Sequence, residues 1–378
     1  MLSVNIRPED SSLGPIAEKV VAGERLTFED GVTLYRSPDL LALGSLANQV
    51  RDKLHGKRTY FNVNRHINPT NICVASCTLC AFGRKPDAPG AYTMPLEEVF
   101  KKAGEGWTEA VTEFHIVGGL HPELDFQYYV DLIRGLKERF PTVHLKAFTA
   151  VEIGHYSHIS RLSIRQVLQR LKEAGLGSLP GGGAEIFAPA TRRIICDHKI
   201  GAHMWLKVHR TAHELGLHSN ATMLYGHVET PEDCSDHLCQ LRGLQDETQG
   251  FQTFIPLAFH PANTELGKLV QHYETTGYMD LKNVAISRLM LDNFPHIKAY
   301  WIMMTPRVAQ VALRFGADDI DGTVVEEKIY HDAGAPTPQV MTRQEIMRLI
   351  REAGLEPVER DTLYRPVTRT ETSFTVQV

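Results

Sequence analysis

Short apolar runs alternate with amphipathic helical stretches through most of the chain, and this alternation constrains the fold more than any other feature. Eight strand candidates occur, at residues 61–68, 113–118, 144–151, 178–187, 218–225, 251–259, 299–304 and 317–321. Seven helix candidates accompany them, at residues 95–106, 126–139, 161–174, 200–215, 231–246, 280–293 and 306–315. Strands separated by helices pair in parallel, and eight such units most simply close into a ring. The sequence therefore predicts an α/β protein built on a (β/α)8 TIM-like barrel.

Helical extensions are predicted on both sides of this barrel. Residues 1–58 are polar with helical character, and we interpret them as an N-terminal helical extension ahead of a barrel core at 59–340. After the core, Thr342 and Glu345 have the spacing of a capping box, which predicts the start of a last helix. We assign 341–378 to this C-terminal helix and a tail packed on the barrel.

Composition and charge argue against several classes of protein. The net charge is −5 and no long basic run occurs, so a nucleic-acid partner is not expected. No apolar stretch approaches the roughly 20 residues that cross a bilayer, and the first residues lack the apolar segment of a secretory signal. Six cysteines without a regular disulfide framework indicate a reducing compartment. We therefore predict a cytoplasmic protein without a membrane or nucleic-acid partner.

Half of the six cysteines lie in one short segment, at Cys73, Cys77 and Cys80. The segment follows the first strand candidate, and the chemistry of such barrels gathers at the ends of the strands. Three thiolates at this C-x3-C-x2-C spacing can bind three irons of a cubane cluster and leave a fourth iron open to a ligand. The alternative is a structural zinc that uses these cysteines and a donor such as His66. Under that alternative the chain is a zinc-stabilised binding protein without catalytic activity.

The cysteine segment and the next strand end resemble the radical S-adenosylmethionine (SAM) superfamily. Gly118 and Gly119 stand where that family has a Gly-Gly-Glu-like segment, although Leu120 replaces the acidic residue. The resemblance implies a barrel of the radical SAM type, with a 4Fe–4S cluster on the three cysteines and SAM on the open iron. It also implies that both glycines contact SAM. Leu79 replaces the usual aromatic residue before the last cysteine, and we expect Leu79 and Phe82 to contact the cofactors.

Two later strand ends supply further cofactor contacts under this resemblance. Gly182 belongs to a triple glycine inside an apolar run, which suits close approach of a ligand to the backbone. Glu185 could accept hydrogen bonds from ribose hydroxyls, or it could form a salt bridge with Arg192 or Arg193. Met223 lies in a segment that resembles the family's adenine support; its side chain could lie in the core while its backbone faces the adenine.

Four longer segments, 68–73, 117–122, 180–187 and 359–364, resemble aminofutalosine synthase of the futalosine route to menaquinone. The resemblance implies that a 5′-deoxyadenosyl radical, made from SAM, adds to the enol-ether double bond of 3-[(1-carboxyvinyl)oxy]benzoate. Rearrangement with loss of a carboxylate then gives 6-amino-6-deoxyfutalosine, so SAM is consumed as a co-substrate. Cyclic dehypoxanthine futalosine synthase and the tyrosine-using subunit of deazaflavin synthase share the cysteine loop and remain alternatives.

The implied substrate is an aromatic dicarboxylate, which needs hydrogen-bond donors and an apolar slot. Arg65, Asn68, His227 and His260 lie at or near predicted strand ends and are our candidate catalytic and substrate-binding residues. For each of them a structural role is an equal alternative. The reaction also implies a separate electron donor, such as a flavodoxin or a ferredoxin.

Overall fold

The computed structural model describes residues 8–105, 111–270, 275–370 and 373–377. Its strands are β1 (Arg58–Asn62), β2 (Asn64–Ile67), β3 (Glu113–Ile116), β4 (His144–Ala147), β5 (Ser178–Leu179), β6 (His218–Tyr225), β7 (Phe251–Ala258), β8 (His296–Ile297), β9 (Asp319–Gly322), β10 (Glu356–Glu359), β11 (Val367–Arg369) and β12 (Phe374–Val376). In the described chain β2 to β8 form one parallel sheet, in sequence order. This order is that of repeated right-handed strand–helix–strand units.

Additional pairings close this sheet into a ring. After β8, Lys298 pairs with Asp319 at the start of β9, and β9 pairs in parallel with β1. Arg65 of β2 pairs with Val325, which follows β9. Because β1 and β2 are separated by Val63 alone, they act as one broken strand, and the ring contains eight strand positions. The predicted α/β barrel is thereby confirmed.

Helices cover the outside of the sheet. They are α1 (Gly14–Ala22), α2 (Phe28–Arg36), α3 (Leu40–His55), α4 (Leu96–Gly104), α5 (Phe126–Arg139), α6 (Ala150–Ser160), α7 (Ile164–Ala174), α8 (Pro189–Ile195), α9 (Ala202–Glu214), α10 (Pro231–Thr248), α11 (Glu265–Val270), α12 (Gly277–Met290), α13 (Trp301–Ala312), α14 (Ile329–Asp332) and α15 (Arg343–Glu352). The N-terminal helices belong to this layer, since α2 packs on α10 and α3 packs on α12. No helix in the described ranges is long and apolar enough to cross a bilayer.

The predicted strand at 299–304 is wrong. The strand lies earlier, at His296–Ile297, and α13 begins at Trp301, five residues before the predicted helix start. Thr305 has a positive φ of 69°, and this kink joins the first turn to the rest of the helix. A short buried apolar run has the same pattern in a strand and in a helix, so periodicity could not separate the two.

The strand candidates at 144–151 and 178–187 are too long. The strand β4 ends at Ala147, and Thr149 caps a new helix, α6, through a capping box with Glu152. The strand β5 ends at Leu179, before the glycines that follow it. The capping box of α15 at Thr342 and Glu345, in contrast, forms as predicted.

The C-terminal residues close the barrel at the amino ends of its strands. The strand β10 adds in parallel to β1. Beyond it, Arg360 donates from Nε to Asp319 Oδ2 over 2.6 Å, and Thr362 donates to Glu113 Oε2 over 2.8 Å. Asp319 and Glu113 are the first residues of their strands. The tail therefore reaches underneath the barrel as well as beside it, while the predicted boundaries at 58 and 340 stay predictions.

Candidate active site

A cavity of about 250 Å³ opens at the carboxyl ends of the parallel strands. Its wall includes the loop after β2, which carries Cys73, Cys77 and Cys80, and the segments that directly follow β3, β4 and β5. Residues of β6, β7 and β9, and residues that follow β8 and β9, complete it. The chain thus brings the three cysteines and both predicted glycine segments together around one space, at the end of the barrel where the sequence placed them.

Backbone hydrogen bonds fix the shape of the cysteine loop. The Cys73 amide donates to the Arg84 carbonyl over 2.9 Å, which joins the two ends of the loop. The Cys80 amide donates to the Cys77 carbonyl over 3.1 Å. The Gly83 amide donates to Cys80 Sγ over 3.5 Å. An amide directed at a ligating sulfur stabilises the thiolate form and tunes a bound cluster.

Burial controls the protonation of the cysteines. It raises the pKa of Cys77 to about 12, although the positive charge of Lys199 opposes this shift. Burial also raises the pKa of Cys73. These thiols therefore keep their protons at neutral pH until a metal competes for the sulfur, and metal loading must release protons.

The two glycines after β3 pack against the cysteine loop. A Cβ on Gly118 would lie 3.1 Å from the Thr70 carbonyl oxygen, and a Cβ on Gly119 would lie 2.2 Å from the Ile72 carbonyl oxygen. The Gly119 amide donates to the Thr70 carbonyl over 2.8 Å. Both glycines also line the cavity. Because they have no side chains, the cysteine loop can pack closely against them and their backbone stays open to a ligand.

Glu152 supports this wall and was missed from the sequence. Its carboxylate accepts hydrogen bonds from the Gly118 amide over 3.0 Å and from the Thr149 amide over 2.7 Å. Burial raises the pKa of Glu152 to about 7, and these hydrogen bonds oppose the shift. A buried carboxylate therefore stands beside the glycines. The Thr-x-x-Glu spacing of the capping box was the available signal.

Glu185 lies on the cavity wall after the triple glycine and pairs with Lys199. The carboxylate Oε1 lies 2.5 Å from Lys199 Nζ. Neither arginine considered from the sequence makes this contact in the described chain; Arg192 donates instead to the backbone carbonyls of Ala184 and Ile186. Lys199 lies outside every recognised motif, so only the fold reveals it.

The alternation of β6 separates residues that line the cavity from residues of the core. Asn220, Thr222 and Leu224 line the cavity. Met223 is fully buried among core side chains on the opposite face. Any contact of Met223 with a cofactor would therefore have to come from its backbone, which is the arrangement expected from the sequence. Gly182, Leu79, Phe82 and His260 all line the cavity.

Comparison with known proteins places this site in a family. Residues 67–239 match the Radical SAM superfamily, and residues 248–373 match the CofH/MqnC C-terminal region. The chain is 54% identical to an aminodeoxyfutalosine synthase of Thermus thermophilus over 95% of this chain and 96% of that protein. It is 50% identical to an aminodeoxyfutalosine synthase of Streptomyces coelicolor over 92% of each. The chain belongs to the radical SAM superfamily and, within it, to the family of the aminodeoxyfutalosine synthases.

Other radical SAM proteins are more distant. A cyclic dehypoxanthine futalosine synthase of Halalkalibacterium halodurans is 39% identical over 93% of this chain and 94% of that protein. Among solved structures, methylornithine synthase shares the fold, with a TM-score of 0.70 at 18% identity over 90% of this chain and 97% of the other. As a radical SAM enzyme the chain uses a 4Fe–4S cluster and SAM.

The geometry of the cysteines fits such a cluster better than a single zinc ion. The three cysteine sulfur atoms of the described chain do not all lie within 4.8 Å of one another. Thiolates around one zinc, at about 2.3 Å from the metal, lie roughly 4 Å apart. A cubane cluster spreads its ligands farther, and the cavity beside the sulfurs offers it room.

Three of the four candidate substrate-binding residues do not line the cavity. Arg65 points outward and donates from Nη1 to the Lys102 carbonyl over 2.7 Å, at the end of α4. Asn68 donates to the Val117 carbonyl over 2.9 Å and so links the ends of β2 and β3. His227 is buried against its own loop and lies 3.1 Å from Glu229. These contacts position loops, and they give the predicted substrate role of the three residues no support.

The deep end of the cavity contains charged residues that sequence analysis also missed. Lys146 and Glu113 form an ion pair of 2.8 Å there, and Lys298 and Asp321 form another of 2.7 Å. All four line the cavity. For Glu113, Lys146 and Asp321 the available signal was a charged residue inside an apolar strand candidate, whereas Lys298 lies just before one. Such a residue can point only into the barrel or toward the helices, and the sequence alone did not separate these two directions.

Proposed function

We propose that this enzyme joins the 5′-deoxyadenosyl group of SAM to 3-[(1-carboxyvinyl)oxy]benzoate and forms 6-amino-6-deoxyfutalosine and methionine. One carboxylate is lost as carbon dioxide or bicarbonate. The observation that carries the proposal is the 54% and 50% identity to two aminodeoxyfutalosine synthases over more than nine-tenths of each chain. The enzyme would act in the futalosine route to menaquinone, in the cytoplasm, where reduced thiols persist.

We propose that Cys73, Cys77 and Cys80 bind the cluster and that the glycine segments bind SAM. When bound, the reduced cluster supplies one electron that cleaves SAM to methionine and a 5′-deoxyadenosyl radical. The backbone of Gly118 and Gly119 is open for the methionine part of SAM. On the other wall, Gly182 would leave space for the nucleoside, and the carboxylate of Glu185 would accept hydrogen bonds from the ribose hydroxyls.

The apolar part of the cavity would protect the reacting carbons. Leu79, Phe82 and Leu257 line it, and each is buried or half-buried. An apolar wall excludes water and holds the vinyl carbon near the 5′ carbon of the nucleoside, which addition requires. A loosely held substrate would leave time for hydrogen transfer to compete with addition. The protein would thus orient the substrate and exclude water, while the cofactors supply the reactivity.

We also propose an electron donor of the flavodoxin or ferredoxin class. Cys80 is exposed, whereas Cys73 and Cys77 are half-buried. A cluster on these residues would therefore have one corner near the protein surface, within reach of an external carrier. The cysteine loop is the natural place for such a carrier to approach.

The proposed reaction is tested by mass spectrometry of an anaerobic incubation with SAM, a reductant and 3-[(1-carboxyvinyl)oxy]benzoate. The proposal predicts 6-amino-6-deoxyfutalosine as the main nucleoside product. Free 5′-deoxyadenosine without the adduct would contradict it. The second candidate is the activity of the cyclic dehypoxanthine futalosine synthase relatives, which the 39% identity supports less strongly. That activity would appear as hydrogen abstraction from dehypoxanthine futalosine.

A further inference from the structure

The deep end of the cavity is built from side chains that point into the barrel from different strands. Lys146 lies on β4 and Lys298 directly after β8. These two positions lie on opposite sides of the eight-stranded ring. Both lysines are almost fully buried, with 3% of their surface exposed, and both line the cavity. They belong to none of the segments assigned to the cluster or to SAM.

Each of these lysines has hydrogen-bond donors that no group of the described chain accepts. Lys146 donates to Glu113 Oε2 over 2.8 Å, and Lys298 donates to Asp321 Oδ1 over 2.7 Å. Asp319 Oδ1 is 4.0 Å from Lys298 Nζ, beyond hydrogen-bond distance. An ammonium group has three N–H donors, so two remain on each lysine. Buried charged donors without acceptors are costly, and an anionic ligand between them removes that cost.

The two lysines also act on each other. Burial lowers the pKa of Lys146; the carboxylate of Glu113 opposes this shift, and the positive charge of Lys298 adds to it. Two ammonium groups are thus held within electrostatic range of each other in a water-poor interior. A carboxylate bound between them would relieve this repulsion, because it would interact favourably with both.

A flat wall of imidazole stands in the same space. His66 stacks on His115, with ring centroids 4.5 Å apart and an angle of 10° between the planes. His66 is 7% exposed, and its Nε2 has no hydrogen-bond partner in the described chain. Asn220 Oδ1 is buried without a partner as well. The deep end therefore offers an aromatic face and the unused donors of the two lysines, which together match an aromatic carboxylate.

We propose that Lys146 and Lys298 together bind the ring carboxylate of the aromatic substrate, with its ring against His66 and His115. The inference rests on the proposed function for the identity of the substrate, and it adds the residues that select it. Glu113 and Asp321 hold the two ammonium groups in place. In this arrangement the ring carboxylate lies deepest, so the vinyl group with its own carboxylate lies on the side of the cavity that faces the cysteines and glycines.

The test uses variants that keep each ion pair balanced, because removal of one lysine would leave a buried carboxylate unpaired. The two double variants are Lys146→Met with Glu113→Gln and Lys298→Met with Asp321→Asn. The matched control is Lys282→Met on α12, a lysine outside the barrel that donates to the Tyr35 and Ser37 carbonyls. Thermal unfolding establishes that each variant is folded.

Binding is measured by calorimetry with the reconstituted enzyme in the presence of SAM, with isophthalate as an unreactive probe and the enol-ether benzoate as the substrate. Each double variant is expected to bind both compounds at least about tenfold more weakly, the loss typical of a charged hydrogen bond. SAM binding and the control variant should be unchanged. Unchanged isophthalate affinity in both folded double variants would overturn the inference. If isophthalate binding depends on the lysines but no adduct forms in the wild type, the proposed function fails and the carboxylate site stands.

Discussion

Gly119 and Ile72 are in closer contact than any side chain on Gly119 would permit. A Cβ at Gly119 would lie 2.2 Å from the Ile72 carbonyl oxygen and 2.7 Å from its carbonyl carbon. Ile72 directly precedes Cys73, so this contact seats the cysteine loop on the end of β3. The absence of a side chain at Gly119 is therefore required for this packing of the loop.

The first prediction concerns this contact. Gly119→Ala is expected to displace the loop, because both atoms it would strike are backbone and cannot rotate away. Iron content and the absorbance near 400 nm of the anaerobically reconstituted variant should fall well below those of the wild type. Gly201→Ala is the control, since a Cβ there meets nothing within 4 Å. Full cluster content in Gly119→Ala would show that the loop tolerates the clash.

The second prediction concerns the tail beneath the barrel. Arg360→Met leaves the buried carboxylate of Asp319 without its arginine, which is expected to lower the free energy of unfolding by about 3–5 kcal/mol. Arg365→Met removes an ion pair with Asp361 in which the arginine is 49% exposed, and should cost less than about 1 kcal/mol. Urea unfolding of both variants tests the contrast, and equal losses would contradict it.

The third prediction concerns Glu152 and pH. Its pKa is raised to about 7 in the folded protein, above the ordinary value of 4.5. The unfolded chain therefore releases this proton first, so the stabilising contribution is complete below pH 4.5 and is lost as the pH rises through 7. Between pH 5 and pH 8 the loss amounts to about 2 kcal/mol.

Urea unfolding of the wild type and of Glu152→Gln at both pH values isolates this contribution. The variant should lose less stability between pH 5 and pH 8 than the wild type, because glutamine does not titrate. Other groups titrate equally in both proteins and cancel. A wild type and a variant with the same pH dependence would show that Glu152 keeps an ordinary pKa when the protein is folded.

Much of the fold was predictable, because the periodicity of apolar residues and the capping of helices are local properties of the sequence. The ring of strands and the capping box at Thr342 came from such signals. The errors occurred where a local pattern has two meanings. The apolar run before Thr305 is helical although it reads equally well as a strand, and Thr149 begins a helix inside a segment that reads as a strand.

The candidate site was predictable where one segment carries the chemistry. The cysteines and the glycines line one cavity, and the family comparisons bear out the cofactors. The residues from other strands were not predictable in the same way. Lys146 lies in electrostatic range of Lys298 only because the barrel brings distant strands together. Lys199 pairs with Glu185, 14 residues earlier, only because the segment between β5 and α9 folds back on itself. Arg65, in contrast, was predicted to lie in the site and does not line it. Its place near a strand end did not reveal that its side chain points outward.

The most direct test of the whole account is the ratio of methionine to adduct in the anaerobic reaction, with SAM labelled in its adenosyl group. A SAM molecule that is consumed as a co-substrate releases one methionine for each labelled 6-amino-6-deoxyfutalosine, and the account predicts a ratio near one. A ratio far above one, with the label in free 5′-deoxyadenosine, would contradict it.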